Sequence, residues 1–249
     1  MTKKVRLEHD SMGTIEVPAI ALWGAQTQRS LKNFAISKDL MPVELIHSLA
    51  LIKQAAASVN YRLGVLEKAQ RDLIVSASSE IVAGHHDKEF PLRVWQTGSG
   101  TQTNMNVNEV ISNLISKMSG EELGSHKPVH PNDHVNRSQS TNDVFPAAIH
   151  IATAQNISRR LLPELQRLIN SFKKKSNEWR DIIKIGRTHL QDAVPLTLGQ
   201  EASAWQEQLS SAHKRIEASL VDLYPLPLGG TAVGTGLNSP PMFGQEIAT

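Results

Sequence analysis

The sequence contains no cysteine. That absence excludes disulfides, cysteine-ligated zinc, thiol nucleophiles and iron–sulfur clusters held by cysteine. Any chemistry that the chain performs must therefore use hydroxyl, amide, imidazole and carboxylate groups together with lysine and arginine.

The chain also lacks a long apolar run and a large net charge. No stretch reaches the roughly 20 apolar residues that a transmembrane helix needs, and no apolar signal core follows Met1–Val5. The formal net charge is +2, and the densest basic run, Lys173–Lys175, is typical of an exposed helical turn. These features predict a cytoplasmic protein that binds neither membranes nor nucleic acid.

Apolar residues make up 40% of the 249 residues, which is enough for a full hydrophobic core. They recur with helical spacing in five segments, namely from Val43, over 68–83, over 107–118, from Asp143 to Trp179 and from Thr197 to Val221. Pro163 predicts a kink in the first long helix. Residues 1–42 read as an irregular arm with short extended pairs near Arg6–Leu7 and Ile15–Val17. The predicted fold is mainly α with a small β element.

A boundary near residue 140 would separate an N-terminal helical domain, residues 1–139, from the start of a helical-bundle domain, residues 140–249. Two long helices cannot bury their own apolar faces, because such bundles usually need about four. The last residues, Met242–Thr249, resemble the opening of another helix. We therefore expect either partner chains or further sequence to complete the bundle.

Two polar segments beside predicted helices are candidate binding sites. Thr97–Asn106 precedes the helix at 107, and its glycines, hydroxyls and free helix N–H groups suit an anion. His130–Asp143 holds more N-capping residues than one helix requires. For both segments, helix capping alone and ligand binding remain open alternatives.

A third polar segment, Gly186–Ala193, lies at the expected bend between the two long helices. His189 there could accept a proton from water or bind a carboxylate, or it could be structural. The run His85–Asp87 is expected to be a solvated turn, because adjacent side chains point in different directions, and no metal site is predicted.

Taken together, these segments resemble the class II (iron-independent) fumarases of the fumarase/aspartase superfamily. The matching motifs lie in order along the chain, at Asp10–Gly13, Trp23–Ser30, Val94–Asn108, His130–Asn142, Gly186–Glu201 and Gly229–Asn238. Histidine at positions 130 and 189 and the run Gly98–Thr101 are similar to the fumarase branch. Aspartases typically carry Asn and Gln at the two histidine positions.

The resemblance implies reversible anti addition of water to fumarate, giving L-malate in the tricarboxylic acid cycle, with no cofactor. It implies that His189 is the catalytic residue that holds and polarises the water. The substrate-binding residues that it implies are Ser99, Gly100, Thr101, Ser140, Thr141, Asn142 and Thr188. It also implies a second anion site at Lys127, His130, Asn132 and Asp133, with Lys127 where relatives commonly carry arginine.

The resemblance further implies a homotetramer whose active sites are shared between subunits, and a proton-abstracting serine on a Gly-Ser-Ser loop. No segment of residues 1–249 matches that loop. We therefore expect the chain to be the N-terminal half of such an enzyme and to be inactive alone. The alternatives are an enzyme like aspartate ammonia-lyase and a non-catalytic binding or assembly fragment.

Overall fold

The computed structural model describes residues 4–248. Its helices are α1 (Ala25–Asn33), α2 (Val43–Arg62), α3 (Lys68–Val82), α4 (Thr101–Met118), α5 (Thr141–Asn156), α6 (Leu162–Glu178), α7 (Leu198–Ser219) and α8 (Phe243–Ile247). Its strands are β1 (Val5–Asp10), β2 (Gly13–Pro18), β3 (Ile183–Thr188) and β4 (Gln191–Thr197). Two features predicted from the sequence, the lack of a signal core after Met1 and the outer limits of the two domains, involve residues outside the described part.

The contacts divide the chain into two compact units. The first comprises Met1–Ala152 with Leu226–Thr249, and the second comprises Thr153–Pro225. The expected domain boundary after residue 139 remains a prediction. A mainly helical fold with small antiparallel sheets confirms the predicted fold class.

Helix α4 is the central element of the first unit. Every residue from Thr103 to Ser116 is buried, which is typical of a helix surrounded by other elements. Its apolar side chains join one core cluster with those of α2, α3 and α5. The predicted start at 107 is wrong, because the helix begins six residues earlier, at Thr101. The polar side chains of those first turns concealed it.

The predicted irregular arm is also ordered. β1 and β2 form an antiparallel hairpin that pairs Arg6 with Val17, which confirms the predicted extended pairs. The Arg6 guanidinium donates hydrogen bonds to the carbonyls of Pro18 (2.9 Å), Ala21 (2.7 Å) and Trp23 (2.8 Å). This arrangement fixes the chain just before α1, a helix that the sequence pattern did not reveal.

In the second unit, α6 and α7 pack against each other. The rings of Phe172 and Trp205 meet edge to face at 5.7 Å. Gly199 allows a close approach, since an added Cβ would lie 2.6 Å from the Ser176 carbonyl oxygen. The long helix predicted to kink at Pro163 is interrupted just before that residue by one π-helical turn, Ile157–Leu161.

The hairpin β3–β4 was not predicted. It connects α6 to α7 and contains a register shift between Ile185 and Arg187. Gly186 at this shift and Pro195 in β4 weaken the alternating pattern by which strands are recognised. None of the helices within residues 4–248 combines the length and apolarity needed to cross a bilayer.

Candidate active site

Gly100 is the residue that shapes the start of α4. It has φ +78°, and a Cβ at this position would lie 2.5 Å from the ring of Phe145 on α5. Only glycine meets both conditions without strain. The helix N-terminus has no side-chain cap, and the hydroxyls of Ser99 and Thr101 lie beside it, 3.1 Å apart. Uncapped N–H groups with adjacent hydroxyls form a favourable place for a carboxylate.

The start of α5 is held by Asp143, whose side chain is buried. One carboxylate oxygen accepts the Ser140 N–H at 2.9 Å, and the other accepts the N–H groups of Gly229 (3.1 Å) and Thr231 (3.0 Å). Asn142 donates its Nδ2 amide to the carbonyl of Ala232 at 2.6 Å. The polar run His130–Asp143 holds more N-capping residues than one helix needs. Two of its side chains, those of Asn142 and Asp143, instead join α5 to the glycine-rich segment Gly229–Asn238.

Asn104 brings the two helix starts together. Its Nδ2 donates to Thr141 Oγ1 at 3.1 Å and to Asn136 Oδ1 at 3.2 Å. Together with the approach of Gly100 to Phe145, this places the first turns of α4 and α5 side by side. The structure thus gathers the predicted residues of the first unit, which are Ser99, Gly100, Thr101, Ser140, Thr141 and Asn142.

Three of the four residues of the predicted second anion site, His130, Asn132 and Asp133, lie in contact with one another. His130 Nδ1 accepts the N–H groups of Asn132 (3.2 Å) and Asp133 (3.1 Å), so this nitrogen carries no proton in that arrangement. A 3.4 Å approach of Asp133 Oδ2 to the same nitrogen would be an ion pair only with a protonated ring. We favour the acceptor role, because both N–H groups point at the nitrogen.

Lys127 is exposed. Its backbone N–H donates to Ser125 Oγ at 3.3 Å, and its carbonyl accepts the Ser116 hydroxyl at 2.6 Å. His130 and Asn132 line a cavity of about 220 Å³ that three carboxylate side chains also line, those of Glu8, Asp10 and Glu109. Three carboxylates disfavour an anion in that cavity. The neighbouring His126 has a lowered pKa, because it is partly buried and lies near His130.

His189 and Thr188 belong to the second unit, where they lie at the tip of the β3–β4 hairpin. The expected bend between helices is therefore a two-residue turn, because Thr188 pairs with Gln191. His189 and Leu190 both have positive φ, +49° and +62°, as in a type I′ turn. Asn-Gly is the usual choice there, so this turn holds an exposed imidazole at a conformational cost.

A cavity of about 630 Å³ on the second unit is lined by Thr188 and by two basic residues, Lys184 and Arg187. Both basic groups are paired, Lys184 with Glu201 at 2.5 Å and Arg187 with Asp192 at 3.3 Å. Within residues 4–248, no cluster of three or more histidine and carboxylate side chains is arranged to hold a metal ion.

Lys53 was missed by the sequence analysis. Its side chain is completely buried in the first unit, and Nζ donates to Asn136 Oδ1 (2.8 Å) and Gln139 Oε1 (3.0 Å). Burial lowers its pKa to about 7, an effect that Asp143 partly offsets. The available signal was its position beside Ile52 and Ala56, on the apolar face of α2.

Comparison with known proteins identifies relatives along the whole chain. A family model described as "Lyase" matches residues 13–249. Class II fumarate hydratases of Prochlorococcus marinus (strain MIT 9313) and Thermosynechococcus vestitus are 74% and 55% identical to it, each over 100% of this chain and 53% of their own length.

Two crystal structures share the fold. The class II fumarase of Schistosoma mansoni superposes with a TM-score of 0.93 at 48% identity, covering 98% of this chain and 51% of that one. A fumarate lyase:delta crystallin from Brucella melitensis bound to cobalt gives 0.91 at 40% identity, with 98% and 53% covered. The chain spans about half the length of the relatives it matches, and it belongs to the lyase family that includes the class II fumarate hydratases.

Proposed function

We propose that this chain supplies the carboxylate-binding and water-handling groups of a fumarate hydratase, which adds water to fumarate to give L-malate. The observation that carries the proposal is the pairing of the α4 and α5 starts, where an uncapped helix N-terminus faces clustered hydroxyls and amides. High identity to fumarate hydratases favours this reaction over ammonia elimination from aspartate.

The chemistry requires stabilisation of negative charge. In the dehydration direction, loss of a proton beside a carboxylate leaves a carbanion whose charge spreads into that carboxylate, and hydroxide then departs. Ser99, Thr101 and Asn142 are proposed to donate hydrogen bonds to the substrate carboxylates, with the dipole of α4 aligned to the developing charge. Gly100 keeps the backbone open for this approach.

His189 is proposed to hold and polarise the water, with Thr188 binding a substrate carboxylate. The turn at His189 and Leu190 supports this role. It holds an exposed imidazole in a left-handed conformation that Asn-Gly would adopt at lower cost. No segment of residues 1–249 matches the Gly-Ser-Ser loop to which the resemblance assigns proton removal. We therefore expect it from the part of the relatives that the chain does not match.

We also propose a homotetramer acting in the cytoplasm, in which active sites are shared between subunits. Large apolar side chains on the second unit support assembly, since Leu168 (45%), Ile183 (77%) and Val194 (76%) are exposed. Analytical ultracentrifugation of the chain joined to the missing part of a relative tests the proposed tetramer. A monomer at all concentrations would contradict it. We also propose a second anion site at Lys127, His130, Asn132 and Asp133, with the exposed Lys127 supplying its positive charge.

A hybrid protein tests the reaction. Residues 1–249 are joined to the remaining part of the Prochlorococcus marinus MIT 9313 enzyme, and fumarate consumption is followed in the ultraviolet. We expect malate formation by the hybrid and none by the 249-residue chain. The intact relative serves as the positive control. Turnover of aspartate but not of malate by a folded hybrid would overturn the proposal.

A further inference from the structure

Among the lysines of residues 4–248, Lys53 alone is buried, and its amine still donates hydrogen bonds to polar groups. Both of its acceptors, Asn136 Oδ1 and Gln139 Oε1, lie in the segment that leads directly into Ser140–Asn142. A lysine is seldom buried so completely without a paired charge, and burying an amine is costly. A compensating role for this amine is therefore expected.

A chain of three hydrogen bonds connects Lys53 with the proposed binding residue Thr141. Asn136 Oδ1 accepts both the Lys53 amine (2.8 Å) and the amide of Asn104 (3.2 Å). The same Asn104 amide donates to Thr141 Oγ1 (3.1 Å), in the first turn of α5. Lys53 on α2 thus reaches Thr141 through Asn136 and Asn104, and it also binds Gln139, the residue directly before Ser140.

Further contacts hold the segment from Asn136 to Gln139 in place. Gln139 donates its amide to the backbone carbonyls of Val135 (3.1 Å) and Arg137 (3.0 Å), so its oxygen is oriented toward Lys53. Ser138 has positive φ (+62°) and is buried, which is a costly conformation for a residue other than glycine. Such a backbone persists only where its surroundings hold it.

We infer that Lys53 is a positioning residue, whose buried amine holds the Asn136–Gln139 segment and thereby sets the placement of Thr141 and its neighbours for the substrate carboxylate. This inference rests on the proposed function for its consequence in catalysis, but its structural part does not. The carboxylate of Asp143 on α5 interacts electrostatically with the Lys53 amine. The other members of the network, Asn136, Gln139 and Asn104, are uncharged.

Amide hydrogen exchange on the 249-residue chain tests the structural part. The variant Lys53→Met keeps the length of the side chain and removes the donor. We expect exchange of the Asp143 and Val144 amides, which donate to the Ser140 carbonyl, to rise about tenfold while α4 amides change little. Gln54→Met is the matched control, since Gln54 is the next residue and contacts Ser79 on α3 instead.

A second variant covers failure of the first to fold. Gln139→Met leaves Lys53 in place and removes one of its acceptors, so a smaller rise at the same amides is expected. Exchange within twofold of the unaltered chain, or a rise spread equally over α2, α4 and α5, would overturn the inference, since the latter indicates a general packing role.

The hybrid protein tests the catalytic consequence. Lys53→Met should raise KM for fumarate about tenfold and change kcat less, because the binding segment is misplaced while the reacting groups remain. Unchanged KM in an active hybrid would overturn this inference alone. A hybrid that retains Lys53 and does not convert fumarate would instead count against the proposed function.

Discussion

Glu109 of α4 accepts the backbone N–H of Gly24 at 2.9 Å and so caps α1 from a different helix. The same carboxylate accepts the N–H groups of Gln26 (2.8 Å) and Thr27 (3.2 Å) and the Thr27 hydroxyl (2.6 Å). Burial raises the pKa of Glu109, and these four donors oppose that rise. The carboxylate thus replaces the local cap that α1 lacks.

Glu109→Gln should lower the free energy of unfolding by about 1–3 kcal/mol. The Gln amide NH₂ cannot accept a hydrogen bond, so at least one of the four groups that donate to the carboxylate loses its acceptor. Urea denaturation of the 249-residue chain measures the change. Glu121→Gln, at an exposed position after α4, is the control and should stay within about 0.5 kcal/mol. Equal stability of both variants would contradict the capping role.

Gly100→Ala should destabilise the chain by about 1–3 kcal/mol, since it combines a left-handed backbone with a 2.5 Å approach to the Phe145 ring. Gly98→Ala is the matched control two residues away, where an added Cβ meets nothing within 4 Å and φ is not positive. Thermal unfolding compares the two. A larger loss for Gly98→Ala would contradict a left-handed Gly100 packed against the Phe145 ring.

Stability should depend on pH through Lys53. Its folded pKa, about 7, lies below the ordinary value of 10.5, so between these values the unfolded chain binds the extra proton. The free energy of unfolding should therefore rise with pH over this range, by up to about 1.4 kcal/mol per pH unit from this group.

Urea titrations at several pH values between 7 and 10 measure that slope. Lys53→Met should flatten it, whereas Gln54→Met should leave it as in the unaltered chain. The same slope in Lys53→Met would show that other groups cause the pH dependence.

His189→Asn separates stability from catalysis at the hairpin tip. Asparagine adopts positive φ readily, so stability should be unchanged or slightly higher, while hydration by the hybrid should fall by about 10²–10⁴. Leu190→Gly is the companion variant, because Leu190 is 98% exposed with φ +62°. It should stabilise the hairpin by roughly 0.5–1 kcal/mol. Full activity of His189→Asn would remove His189 from the mechanism.

Sequence periodicity predicted the elements whose stability comes from an apolar face. The starts of α2 and α3 and the span of α7 follow the predicted pattern closely, because their buried side chains recur at helical spacing. The start of α4 escaped detection, since Asn104 and Asn106 are poor helix formers that are buried here through tertiary hydrogen bonds.

The same reasoning explains the unforeseen parts of the site. Helix α1 is polar and depends on Glu109, which lies more than 80 residues away in the sequence. Motifs predicted Ser99, Thr101 and Asn142 as binding residues, but no local pattern connects Lys53 with Asn136 and Gln139. Such long-range polar contacts carry no periodic signal.

The two hydrogen bonds from Gly229 and Thr231 to Asp143 span 86 and 88 positions. During synthesis, α5 is complete long before these donors leave the ribosomal exit tunnel. Until Gly229 and Thr231 have been synthesised, Asp143 Oδ2 lacks both of these donors. The order of translation thus leaves these two contacts at the start of α5 to form after the rest of the helix has been synthesised.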